Sequence, residues 1–146
     1  MRLVPALFSL SLIALSGGLL HAQPQDAASR RGADRVIIFF AWDRPIIDGD
    51  AAARLDDVAA SFLSQSNIRL ELSGHADRSG PAAPNMRSGR TRAEAVAAYL
   101  VARGVPGKAM TLSSQGEARP LIPTADGVRE PQNRRVEIVT RRASSS

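Results

Sequence analysis

Cysteine is absent from the 146-residue chain, and histidine occurs only at positions 21 and 75. The first absence excludes disulfides, thiolate metal sites, cysteine nucleophiles and a lipid-modified cysteine. Two histidines so far apart also exclude metal sites built from several imidazoles. We therefore expect no metal and no cofactor.

Aromatic residues are scarce, at 4% of the sequence with a single Trp. Proteins that bind single-stranded nucleic acid usually need several aromatic side chains on which the bases stack. The net charge is +5, but the 19 basic residues are spread along the chain among 14 acidic ones rather than clustered. No nucleic-acid partner is expected. The 44% hydrophobic and 23% charged content is typical of one globular domain.

The first 22 residues have the pattern of a secretory signal peptide. Arg2 precedes an apolar stretch at 3–15, and the small residue Ala22 marks the predicted cleavage point. The alternative is a retained membrane anchor over 4–20, near the lower length limit of about 17 residues for a bilayer span. Either way the protein is expected to be exported, and no spanning segment remains after cleavage.

The remainder divides by composition into three parts. Residues 23–33 are polar and small, which predicts a flexible tether. Residues 34–142 contain the periodic apolar patterns of a folded domain, and 143–146 are predicted to be a disordered tail.

Hydrophobic periodicity predicts four strands and two helices in the domain. The first helix should be capped by Asp48 or Asp50, and the second should begin at Asn85 or Ser88 and end before Gly104. The predicted strands are 36–40, 68–73, 110–113 and 134–140. This order predicts an α/β two-layer sandwich, in which two helices cover one face of a small mixed four-stranded sheet.

Two polar segments carry motifs. One runs from Gly74 to Val96 and the other is Asn-Arg-Arg-Val-Glu-Ile at 133–138. Together they resemble the OmpA-like domain, the peptidoglycan-associated module of OmpA, Pal and MotB proteins. The matching positions of the first segment are Gly74, His75, Asp77, Gly80, Asn85, Arg92, Ala93 and Val96.

The resemblance implies non-covalent binding of peptidoglycan through the diaminopimelate residue of its stem peptide. It assigns the ligand ammonium to Asp77 and the ligand carboxylate to Arg92, a chemically suitable pair for a zwitterion. It also places Asn85 and Ala76 beside the ligand, although Ala76 lacks the hydroxyl of the family's usual threonine. A helix beginning near Asn85 would add free backbone N–H groups.

Each of these residues also has a purely structural interpretation. Asp77 is a suitable turn residue, Arg92 a suitable surface cation or internal partner of Asp77, and Asn85 a suitable helix cap. His75 is expected to be a packed imidazole at a strand end. Trp42 is expected at the edge of the core rather than in the wall of a ligand cleft.

Other positions bear on affinity. Of the adjacent pair Arg134 and Arg135, one is expected inside a polar network and the other in solvent, without a choice between them. Ser88, Gly89 and Ala41 depart from the family pattern, and Gly89 is expected to loosen its helical turn.

Two other functions compete with wall binding. One is a periplasmic scaffold or protein-interaction module that keeps the fold but has lost the ligand, with a possible envelope protein as partner. The other is an enzyme, which is disfavoured because Ser73, His75 and Asp77 are too close in sequence to form a nucleophile–base–orienter line. The expected location is the periplasm, associated with the cell wall or outer membrane.

Overall fold

The computed structural model describes residues 34–143, so the predicted signal peptide, the tether and residues 144–146 lie outside the described residues. The strands are β1 (Arg35–Phe39), β2 (Ile68–His75), β3 (Met110–Gly116) and β4 (Arg135–Arg142). The helices are α1 (Gly49–Ser64) and α2 (Ala82–Ala102). Short 3₁₀ turns at Gly107–Ala109 and Pro131–Asn133 precede β3 and β4.

The four strands form one mixed sheet in the order β1-β4-β2-β3. The last strand is inserted between the first two and pairs antiparallel with both, whereas β2 and β3 are parallel and joined through α2. The predicted two-layer α/β sandwich is confirmed.

Alternation along the strands directs one set of side chains into the core. Leu70 and Leu72 of β2 lie beside Ile138 of β4, and all three are buried against α1 and α2. Leu55 of α1 and Leu100 of α2 complete the contact from the helical layer. Full burial of each such side chain contributes about 1.5–3 kcal/mol relative to exposure.

The beginning of α2 differs from the prediction. The helix begins at Ala82 because Pro81 occupies the N-cap position and Pro84 lies in the first turn, where a missing N–H is tolerated. The backbone N–H of Asn85 consequently donates to the Pro81 carbonyl at 3.1 Å. It is not one of the free N–H groups that we expected at this position.

The other helix boundaries follow their predicted signals. Asp48 caps α1 by accepting a hydrogen bond from the Ala51 N–H at 2.8 Å, and Gly104 follows α2 with φ +96°.

Ala143, the first residue of the predicted tail, donates its N–H to the Asn67 carbonyl at 2.8 Å. The Asn67 amide donates back to the Ala143 carbonyl at 2.9 Å. Among residues 34–143, no helix is both long and apolar enough to cross a bilayer.

Candidate functional site

The predicted site residues meet in one small cavity at the carboxyl end of β2. Its volume is about 160 Å³. Asp77 and Ala76 enter it from the segment after β2, Asn85 and Arg92 from α2, and Arg134 from the residue before β4. Asn85 and Arg92 are both buried on the inner face of α2, as their spacing of seven residues predicts.

Asp77 is already paired inside the protein. Its Oδ2 accepts from Arg134 Nη1 at 2.9 Å and from the Glu130 N–H at 3.2 Å. Its Oδ1 accepts from the Ser79 hydroxyl at 2.5 Å and from the Ser79 N–H at 3.3 Å. Burial alone would raise the pKa of Asp77, but the hydrogen bonds from Ser79 and Arg134 lower it below its ordinary value.

Most of the Arg92 guanidinium is not engaged by acceptors of the described residues. Within residues 34–143, its side chain makes one hydrogen bond, from Nη1 to the His75 carbonyl at 2.9 Å. Burial lowers the pKa of Arg92, the neighbouring Arg134 lowers it as well, and Asp77 opposes both effects. The internal partner of Asp77 is therefore Arg134, while Arg92 is a buried cation that pairs with no carboxylate in the described part of the chain.

Asn85 presents an acceptor to the same cavity. Its amide nitrogen donates to the Gly80 carbonyl at 2.9 Å and to the Glu117 carboxylate. These two donations orient the amide, and the Oδ1 accepts no hydrogen bond from residues 34–143. Ala76, buried beside Asp77, contributes only a methyl group to the wall.

A wider groove of about 320 Å³ adjoins this cavity and shares Trp42, Ser88 and Arg92 with it. The expectation that Trp42 lies at the edge of the core is wrong. Its side chain is 51% exposed, and the Arg129 guanidinium carbon lies 4.1 Å from its ring centroid. Strand β1 ends at Phe39, and Phe40 directly after it is buried. Trp42 comes two residues later, lies outside the sheet and forms a wall of the groove.

The expectation that one of Arg134 and Arg135 is solvated is also wrong, because both are buried. Arg134 lies on the helical side of the sheet with Asp77, whereas Arg135 lies on the opposite face, where its Nε donates to Glu137 Oε1 at 2.8 Å. The sequence contained the signal for this assignment. Arg134 has the same parity as the apolar Val136 and Ile138, so it belongs to their face of the strand.

Gly89 tightens the packing of α2 rather than loosening it, contrary to our expectation. A Cβ added at Gly89 would lie 2.4 Å from Ser114 Oγ and 2.8 Å from the Gly74 carbonyl oxygen. Helix α2 and strand β2 therefore approach each other through two glycines, and this contact fixes Arg92 at the end of β2.

His75 is a packed imidazole at the strand end, as predicted, and is 3% exposed. Burial and the nearby Arg135 lower its pKa from 6.5 to about 4. The Ser73 hydroxyl lies 3.0 Å from that of Ser113.

Comparison with known proteins agrees with this architecture. A model of the OmpA family matches residues 39–134. The chain belongs to the OmpA family. It is 39% identical over 108 residues to a peptidoglycan-associated lipoprotein of Rhizobium meliloti, a match spanning 74% of this chain and 61% of that protein.

Two further similarities extend the comparison. The chain is 37% identical over 109 residues to an outer membrane protein of Gluconacetobacter diazotrophicus, spanning 70% of this chain but 29% of that protein. The crystal structure of the peptidoglycan-associated lipoprotein from Burkholderia pseudomallei has a TM-score of 0.67 and 28% identity. That match covers 72% of this chain and 89% of the Burkholderia chain. The chain thus spans less than two thirds of the length of the first two relatives.

Proposed function

We propose that this OmpA-family domain binds peptidoglycan without covalent chemistry, through the diaminopimelate residue of the stem peptide. The observation that carries the proposal is that Asp77 and Arg92 line one cavity. In this assignment the Arg92 guanidinium takes the ligand carboxylate, and Asp77 together with Asn85 Oδ1 takes the ligand ammonium. The peptidoglycan-associated lipoproteins among its relatives support the same ligand class.

The charges in the cavity favour an anionic group at Arg92. Arg92 and Arg134 bring two positive charges to its lining and Asp77 one negative charge. The Asp77 carboxylate neutralises Arg134, with which it pairs at 2.9 Å. A carboxylate on Arg92 would compensate the remaining buried cation by charge-assisted hydrogen bonds.

The ligand ammonium has to share Asp77 with protein donors. Four hydrogen bonds already converge on the carboxylate, which has about four acceptor sites. The Ser79 hydroxyl is the donor most easily released, because it rotates about a single bond in a half-buried side chain. Asn85 Oδ1 offers a second acceptor that needs no such rearrangement.

The adjoining groove gives the rest of the stem peptide a place to lie. Arg87 and Arg44 line it next to the exposed Trp42 ring, and Asp43, whose Oδ2 is 3.9 Å from Arg44 Nε, adds one negative charge. Stem peptides carry carboxylates besides that of diaminopimelate, which suits these two cations. The amino-acid end would enter the small cavity while the backbone follows α2.

Export to the bacterial envelope belongs to the same proposal. The signal-peptide pattern of residues 1–22 and the relatives named as outer membrane and peptidoglycan-associated proteins support it. We propose a periplasmic protein held at the wall or the outer membrane, acting by binding and not by catalysis.

The test is a pull-down on purified diaminopimelate-type peptidoglycan with the variant Arg92→Gln. We expect retention to fall at least tenfold, since charge-assisted hydrogen bonds contribute about 1.5–3 kcal/mol each. The matched control is Arg90→Gln on the same helix, whose exposed side chain pairs with Glu94. Equal retention of both variants would contradict the proposal.

The free ligand provides a second readout. Titration with diaminopimelate should shift the resonances of Asp77, Asn85 and Arg92. Nα-acetyl-lysine amide, whose free end carries an ammonium but no carboxylate, should not. Silence at millimolar diaminopimelate would instead support the alternative of a periplasmic scaffold that no longer binds peptidoglycan.

A further inference from the structure

A second cavity, of about 270 Å³, lies on the opposite face of the sheet from the proposed wall site. His75 of β2 and Arg135 of β4 form its floor, and Arg35 of β1 contributes one side. The segment after β3 covers it with Arg119, Pro120 and Leu121. The proposed wall function uses none of the side chains that line this cavity.

The cover is fixed to the domain by a buried asparagine. Asn133, fully buried, accepts hydrogen bonds at its Oδ1 from the Leu121 N–H at 2.7 Å and the Ile122 N–H at 2.8 Å. Its amide nitrogen donates to the Ile122 carbonyl at 2.8 Å. The cavity is therefore framed by ordered backbone on one side and by the sheet on the other.

Buried polar atoms at this cavity lack protein partners. Arg135 and His75 are each 3% exposed. The Nε and Nη2 of Arg135 both contact Glu137 Oε1, and Nη2 also donates to the Arg119 carbonyl. Its Nη1 has no hydrogen-bond partner among residues 34–143. Neither ring nitrogen of His75 makes a hydrogen bond of full geometry there either, although the Arg119 backbone lies close enough to favour the charged imidazole. Glu137 Oε1 is 3.9 Å from Nε2. A buried guanidinium N–H without an acceptor is costly unless a ligand supplies one.

The charge of the cavity selects the kind of ligand. Arg35, Arg119 and Arg135 contribute three positive charges to the lining. Glu137 contributes one negative charge and pairs with both Arg35, at 3.2 Å, and Arg135, at 2.6 Å, so the cavity has an excess of two positive charges. Near neutral pH His75 is uncharged, because burial lowers its pKa to about 4. A neutral imidazole still offers one N–H donor.

We propose that this cavity binds the phosphate group of a small anion, with Arg135 Nη1 as the buried donor and Arg35 and Arg119 closing on the exposed oxygens. At pH 7 a phosphate monoester carries about 1.5 to 2 negative charges and inorganic phosphate about 1.5, close to the excess of two positive charges in the cavity. Arginine forks suit the phosphate oxygens.

His75 serves as the reporter, since it is the only histidine between residues 34 and 143. In the full chain with His21→Gln, the imidazole resonances are followed by NMR during titration with inorganic phosphate at constant ionic strength. We expect saturable shifts and a raised pKa of His75, because a bound anion favours the charged imidazole. Glycerol 3-phosphate tests the monoester, and sulfate tests whether any dianion suffices.

Variants of exposed arginines separate a built site from general attraction. Arg35→Gln and Arg119→Gln should each weaken phosphate binding about tenfold, the effect of losing one charged hydrogen bond. Arg141→Gln is the matched control, because it removes the same charge from β4 but pairs with Glu71 outside the cavity. Arg90→Gln on the exposed face of α2, which lines neither cavity, should leave the phosphate response unchanged. Arg119→Gln should in turn leave retention on peptidoglycan unchanged, which separates this proposal from the proposed wall site.

Two results would overturn the proposal. One is a linear, unsaturated response of His75 to phosphate that chloride at the same ionic strength reproduces. The other is equal weakening by Arg141→Gln and Arg119→Gln, which would indicate general charge attraction.

Discussion

Asp77 organises the inner end of the proposed wall site because four donors converge on its carboxylate. Two of them, Ser79 and Arg134, come from different parts of the chain, so the residue joins the segment after β2 to the beginning of β4. The structural role of Asp77 and its proposed binding role therefore cannot be separated by truncation alone.

We expect Asp77→Ala to lower the free energy of unfolding by about 3–5 kcal/mol, because the buried Arg134 would lose its counter-ion. Asp77→Asn should cost less, since its amide oxygen can still accept from Arg134 or Ser79. Urea unfolding measures both. The control is Asp126→Ala, which removes the exposed partner of Arg78 and should cost less than about 1 kcal/mol. A loss that small at Asp77 as well would contradict this account of the ion pair.

At the residue scale, motif spacing predicted which side chains meet, but not how they pair. The sequence brought Asp77, Asn85 and Arg92 together correctly, since strand end and helix face follow from periodicity. It could not predict that Arg134 rather than Arg92 neutralises Asp77, because that choice depends on how β4 is inserted beside β2. Whether the residues bind diaminopimelate stays a prediction.

At the scale of secondary-structure elements, Gly89 and Gly74 control the contact between helix α2 and strand β2. A Cβ at Gly74 would lie 1.8 Å from the Gly89 carbonyl oxygen, a distance that no side-chain rotation relieves. The close approach sets the position of every α2 side chain relative to the end of β2.

Helix propensity and packing make opposite predictions for Gly89→Ala. Propensity alone predicts a gain of about 1 kcal/mol. Because the new methyl group would meet Ser114 and the Gly74 carbonyl, we expect a loss of about 1–3 kcal/mol instead. Thermal or urea unfolding decides the sign. Gly49→Ala is the matched control, since nothing lies within 4 Å of a Cβ there, and it should not destabilise. Stabilisation by Gly89→Ala would show that the helix can move away.

Helices and strands were predicted well where the hydrophobic periodicity of the sequence is strong, and less well at their ends. Alternation of Leu70 and Leu72 with polar residues identified β2, and the Ala51, Leu55, Val58 face identified α1. The beginning of α2 was placed too late because prolines at 81 and 84 resemble loop signals, although both fit the first helical turn. Trp42 was misplaced because hydrophobicity alone cannot distinguish a core edge from a groove wall.

At the scale of the whole molecule, adjacent arginines connect the two faces of the sheet. Arg134 lines the proposed wall site, and Arg135 lines the proposed phosphate cavity. His75 spans the same boundary, because its carbonyl accepts from Arg92 on one side and its imidazole lies in the cavity on the other. The protonation of His75 should therefore affect the stability of the whole domain.

We expect the free energy of unfolding to fall by about 2–3 kcal/mol between pH 6.5 and pH 4. This is most of the total of about 3.4 kcal/mol that a difference between pKa 6.5 and about 4 represents at about 1.36 kcal/mol per pKa unit. The sign follows from the pKa of His75, which is 6.5 when unfolded and about 4 when folded. As the pH falls through this window, the unfolded chain takes up the proton first and is stabilised. Asp77 has a lowered pKa, so its stabilisation is lost only below about 3.8, outside most of the window.

Urea unfolding at several pH values between 7.5 and 4, in the His21→Gln chain, measures this slope without interference from the other histidine. His75→Gln should flatten the slope between pH 6.5 and 4 whatever its stability at pH 7.5, because glutamine does not titrate. Direct NMR titration of His75 should give a midpoint near pH 4. A midpoint near 6.5, or a slope that survives His75→Gln, would mean that the buried imidazole is not the group that links folding to pH.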